Sequence, residues 1–149
     1  MFQRKWSVLA LLLVIFAAGF IAGRSTETAW LTSAQAQAPG RVFELRTYTT
    51  NPGKLQDLQN RFRDHTTRLF EKHGMVNVGY WLPQDPPLAG NTLVYILAYP
   101  NREAAKKSWD AFRADPDWQK ARDASEANGK IVAKVDSVFM EPTAFSAIK

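Results

Sequence analysis

His65 has the widest chemical repertoire of any residue in this chain of 149. It stands at helical spacing with Leu55, Leu58, Phe62 and Leu69, so it is expected to point from an apolar helix face toward a sheet. A neutral imidazole in that place can ligate a haem iron or act as a base near neutral pH. The plainer alternative is a core histidine hydrogen-bonded to backbone or tyrosine. His73, beside Gly74, reads as a cation that suits the C-terminus of a helix. Trp81, Tyr95, Trp109 and Trp118 are residues that either line an apolar pocket or fill a core. Asn77 and Arg113 are the polar groups that would orient a ligand among them. Two histidines and scattered carboxylates form no metal-binding set, so no metal is expected. With no cysteine there is no thiolate nucleophile and no disulfide. No Ser-His-Asp order, P-loop or dinucleotide fingerprint is present.

A second group lies in the stretch VFELRTYTTNPGKL, Val42 to Leu55. Strand alternation puts Glu44, Arg46 and Tyr48 on one face and Phe43, Leu45 and Thr47 on the other. A carboxylate, a guanidinium and a phenol on one strand face need partners. The expectation is that a second copy of the chain covers this face, with Glu44 and Arg46 neutralising each other or their symmetry mates.

The elements that must position these residues follow from periodicity and punctuation. Val42 to Thr49 alternates as a strand, and Pro52-Gly53 suits a tight turn. A helix is expected from Leu55 to about Lys72, stopped by Gly74. Met75 to Trp81 and Thr92 to Tyr99 read as strands, the latter apolar on both faces and therefore central. Between them, the proline-rich loop Leu82 to Asn91 is where an exposed aromatic cluster would mark a surface for a partner protein. Asn101 is a helix N-cap; Asp115-Pro116 restarts the chain as cap and first helical residue; Asn128-Gly129 ends the helical region. Ile131 to Met140 completes the set as a strand. The order β-α-β-β-α-β predicts an α+β, ferredoxin-like fold, a four-stranded antiparallel sheet with both helical regions on one side. The other sheet face is left bare, and pairing two such faces would make a dimer.

The first 38 residues read differently. Arg4 and Lys5 precede an apolar run from Val8 to Gly23 and a small-residue stretch, the pattern of an export signal. Ala34-Gln35-Ala36 fits cleavage before Gln37. The long gap from Arg24 to Ser33 leaves a retained anchor as the alternative, although the run is shorter than the ~20 residues of a comfortable span. The expected location is therefore the periplasm, free or anchored at the inner membrane. Residues 41–149 form the folded domain. Arg4, Lys5, Arg24 and Glu27 account for part of the net charge of +5 and leave +3 for that domain. A balance this mild, without a block of like charges, predicts no nucleic-acid partner.

Several pieces together resemble one family: FELRTYTTNPGK at Phe43 to Lys54, EKHGMVNVGYW at Glu71 to Trp81, and NTLVYILAYPNREAAKKSWDAF at Asn91 to Phe112. ADPDW at Ala114 to Trp118 and EPTAF at Glu141 to Phe145 extend the match. The chain is identified on these as a member of the NIPSNAP family, in a bacterial exported form. The resemblance implies a ferredoxin-like dimeric α/β barrel. It implies little chemistry, because the family's molecular role is poorly defined, and a trafficking role associated with eukaryotic members does not suit an exported protein. Other dimeric α/β barrels, haem-degrading and cofactor-independent monooxygenases among them, hold ligands between helices and sheet. The expectation is thus a homodimer that binds a small apolar or aromatic ligand there, with an oxygenase-like enzyme using His65 as the alternative.

Overall fold

The computed structural model describes residues 40–149. The signal or anchor assigned to residues 1–38 lies outside them. Strand β1 (Val42–Thr50) turns at Gly53, whose φ of 75° is the left-handed conformation that glycine tolerates. Helix α1 (Leu55–Arg61), a π-helical turn (Phe62–Thr66) and α2 (Thr67–Lys72) follow in one rod, and Gly74, with φ of 76°, ends it. Strands β2 (Val76–Trp81) and β3 (Thr92–Tyr99) come next. Asn101 caps α3 (Arg102–Ala114) by accepting from the Ala104 amide at 2.8 Å. Asp115 caps α4 (Pro116–Ser125) by accepting from the Asp117 amide at 2.8 Å. Strand β4 (Val132–Met140) closes the order.

The sheet is antiparallel with order β2-β3-β1-β4, so β1 and β3 are central, the latter as its apolar content on both faces leads one to expect. The architecture is α+β. Register decides which residues share a face. Glu44, Arg46 and Tyr48 stand opposite Leu97, Tyr95 and Leu93 on β3, and opposite Phe139, Ser137 and Val135 on β4. This is the face under the helices. Leu93, Tyr95, Leu97 and Tyr99 meet Leu58, Phe62, Leu69, Phe70, Trp109 and Phe112 there to form the core. Aromatic rings dominate it in edge-to-face pairs, such as Phe62 on Tyr95 at 5.1 Å.

The other face carries Leu45, Thr47, Val94, Ile96, Val76, Trp81 and Val138. Val76, Trp81 and Val138 are each about half exposed. Among the described residues, this face is covered only at one end, where Phe43 is buried beside Pro142 and Ile148 of the C-terminal tail. The expectation that Glu44, Arg46 and Tyr48 face a second copy is therefore corrected. Alternation sorts residues into two sets, and the helices packed on the set that had been assigned to the bare side.

Candidate functional site

Glu44 is the most elaborately held side chain of the described residues. It is 2% exposed, yet both carboxylate oxygens are occupied. Tyr99 Oη donates to Oε2 at 2.8 Å and Trp109 Nε1 donates to the same oxygen at 2.7 Å. Ser137 Oγ and Arg46 Nη1 each donate to Oε1 at 2.6 Å. Four donors from β1, β3, α3 and β4 thus converge on one carboxylate. Burial by itself would raise its pKa, but the hydrogen bonds from Ser137, Trp109 and Tyr99 and the Arg46 charge outweigh burial and hold it below the usual value. Burial likewise opposes the Arg46 charge, and Tyr48, Tyr95 and Glu44 overcome that to keep the guanidinium protonated. The same anion pushes the Tyr99 phenol up, after burial as the larger cause.

This network forms the floor of a pocket of about 370 Å³ between α3 and the β4 edge of the sheet. Its wall on α3 is Arg102, Lys106, Trp109 and Arg113, spaced four, three and four residues apart, which is one stripe of a helix. Phe139 of β4 faces them. Arg46 lies over the Trp109 ring at 4.2 Å and Arg102 over the Phe139 ring at 4.1 Å, so each guanidinium rests on an aromatic plane. A concave site with apolar rings and a few convergent polar groups is the general form of a small-molecule site. Two further pockets differ in kind. One, of about 390 Å³, runs along the β2 edge past Phe62, Tyr80, Trp81 and Leu82. The other lies on the bare sheet face around Phe43 and the C-terminal tail.

The residues expected to share one pocket are dispersed. Trp109 and Arg113 do come together in the Glu44 pocket, joined by Glu44 and Arg46, which had been placed elsewhere. Tyr95 is wholly buried in the core, with a hydroxyl that has no hydrogen-bond partner. Trp118 is half buried against Phe112, ring centres 4.5 Å apart. Trp81 stands on the opposite sheet face. Asn77 serves structure, donating to Thr67 O and Glu71 Oε1 and accepting from Tyr80 Oη.

His65 is a correction. It is exposed, and it borders a polar groove with Asp57, Asn60, Arg61 and Asp64. The cause is the π-helical turn at Phe62–Thr66, which inserts one residue into the helical phase. Thr66 takes the inward position instead, 1% exposed, and its hydroxyl donates to Arg61 O at 3.1 Å. His73 is engaged at 2.6 Å with Asp115 Oδ2, which also pairs with Lys72. His65 borders a polar groove and His73 is tied to Asp115, so neither imidazole is placed to ligate a haem iron between helices and sheet. Among the described residues, no group of three or more histidines and carboxylates could hold a metal ion.

Tyr99, Ser137, Arg102, Lys106 and Phe139 were missed from the sequence. The 102, 106, 109, 113 spacing is a usable signal for the α3 residues, but it overlaps the apolar stripe Ala105, Trp109 and Phe112 that fills the core.

A NIPSNAP family model matches residues 43–147. Among solved structures, the chain is similar to a NIPSNAP family protein with unknown function from Agrobacterium tumefaciens, at 21% identity and a TM-score of 0.65 over 74% of this chain and 96% of that one. An uncharacterized NIPSNAP-like domain protein from Burkholderia xenovorans matches at 18% identity and a TM-score of 0.63, over 72% and 90% of the two chains. SnoaB, a cofactor-independent oxygenase from Streptomyces nogalater, matches at 14% identity and a TM-score of 0.50, over 72% and 98%. At these identities the likeness is one of fold. No curated protein matches the chain.

Proposed function

Because this chain belongs to the NIPSNAP family, we propose that it is a homodimeric binding domain that takes a small ligand with an aromatic or apolar body into the Glu44 pocket between helices and sheet. The observation that carries this reading is the convergence on that pocket. A buried carboxylate with four donors forms the floor, and Trp109 and Phe139 supply apolar walls. A group held that firmly gives a ligand a fixed surface to match, which lowers the ordering cost of binding.

The bare sheet face supports the dimer. Val76, Trp81 and Val138 lie exposed on it beside the half-buried Val94 and Ile96, an apolar set that a second copy would bury. The basic, apolar and small-residue order of the N-terminal segment supports delivery to the periplasm, released or held at the inner membrane. An oxygenase run from His65 loses its support, because that imidazole faces solvent outside the pocket.

The test is a titration of the full chain with naphthalene-class probes, read by the NMR signal of the Trp109 indole N–H. A saturable shift at Trp109, one site per subunit, supports the reading. Shifts confined to Trp81, or none at any concentration, overturn it.

A further inference from the structure

The charges around the Glu44 pocket do not balance. Arg46, Arg102, Lys106 and Arg113 line it, against Glu44 alone. Lys106 and Arg113 also share a single outside carboxylate, Asp110. Arg46 is matched by Glu44. Arg102 has no carboxylate partner among the described residues, only the Phe139 ring at 4.1 Å. Four cations are thus served by two anions. Arg46 is not saturated either: Nη1 donates to Glu44 and Nη2 to Tyr48 Oη at 3.4 Å, and the buried Nε has no acceptor.

From this imbalance we propose that the pocket selects an aromatic organic anion, a carboxylate or phosphate borne on a planar ring. The proposal rests on the reading of this pocket as a ligand site and names the class of its ligand. Guanidinium groups match carboxylate and phosphate oxygens two at a time and lose little hydration in doing so. Arg46 and Arg102 already lie over the Trp109 and Phe139 rings, so an arriving anion orders little that is not ordered. The ring of the ligand extends the same stacked layer. Glu44 serves as a positioning residue: it fixes Arg46 at 2.6 Å and, being fully supplied with donors, leaves the other cations to the ligand.

The experiment compares 2-naphthoate, 2-naphthyl phosphate and the uncharged 2-naphthalenemethanol on the full chain, by calorimetry and the Trp109 signal. The expected result is that an anionic probe binds at least about tenfold more tightly than the alcohol, the scale of one charge-assisted hydrogen bond. That preference should shrink with added salt. The double variant Arg102→Gln, Arg113→Gln alters exposed rim residues and should fold normally by circular dichroism. In it the three probes should bind alike. A tighter phosphate or a tighter carboxylate identifies which anion the site fits, and either sustains the proposal. Equal binding of all three by the parent chain overturns the anion preference while leaving the pocket reading intact. No binding of any probe at Trp109 overturns both.

Discussion

The two faces of this sheet invert what residue type alone would suggest. On the helix side, Glu44 is 2% exposed, and Arg46, Tyr48, Tyr95 and Tyr99 share its interior. On the other side, Val138 is 55% and Trp81 50% exposed. Glu44 is inside because four donors meet it, and a carboxylate so supplied loses little by leaving water. Apolar groups are outside because, among the described residues, the C-terminal tail is the segment that reaches that face, at the end that carries Phe43. Burial is a property of what covers a face, and the two faces put different demands on substitution.

The sharpest way to break the contrast is Glu44→Leu. It leaves the Tyr99, Trp109 and Ser137 donors without their acceptor and Arg46 without its counter-charge. A loss of about 3–5 kcal/mol in a urea titration is expected. A loss under about 1 kcal/mol would mean that the network is dispensable. The same network sets a pH dependence. Since the folded pKa of Glu44 lies below its ordinary 4.5, the charged form stabilises the fold above that value, and the contribution fades as pH falls through the folded pKa. Asp115 acts in the same direction, held low by Lys72 and His73. The urea midpoint of the parent chain should therefore fall more steeply below pH 4.5 than that of Glu44→Leu.

On the bare face the expected damage is to assembly. Val138→Lys should leave the fold within about 0.5 kcal/mol, because the side chain is already in water. In the proposed dimer, a buried and repeated lysine costs several kcal/mol. Sedimentation equilibrium is expected to show a dimer for the parent chain and a monomer for this variant. A variant that stays dimeric at micromolar concentration would move the interface elsewhere.

Two smaller effects refine the helix side. The Tyr95 hydroxyl is fully buried without a partner, so Tyr95→Phe removes a desolvated group and should range from neutral to a gain of about 1 kcal/mol. A clear loss would reveal an unrecognised hydrogen bond to Tyr48 or Arg46. His65→Ala should change stability by less than about 0.5 kcal/mol and leave probe binding at Trp109 unaltered. A large effect would return His65 to the interior.

Much of the fold was legible because its signals are local. Asn101 and Asp115-Pro116 cap their helices as their types require, and Gly53 and Gly74 take the positive φ that their turns need. Strand β3 was recognisable as central from its apolar content on both faces. The site was less legible. Glu44, Arg46 and Tyr48 share a face by alternation, but alternation does not say which face lies under the helices, since a period of two separates faces without naming them. His65 was misplaced by a single inserted residue, the π-helical turn, which leaves the sequence spacing looking ideal. Arg102, Lys106 and Arg113 resemble an ordinary solvated helix face until Phe139 and Glu44 are set opposite them.

From the sequence alone come the order of the elements, their caps and turns, the antiparallel α+β arrangement and the family. These rest on backbone preferences and spacing, which act within a few residues. Tertiary structure decided which face of β1 lies under the helices and which histidine lies outside. It also brought Tyr99, Trp109, Ser137 and Arg46 to one carboxylate. Those outcomes depend on groups up to 93 positions apart in the chain meeting at hydrogen-bond distance, and no local preference encodes such a meeting.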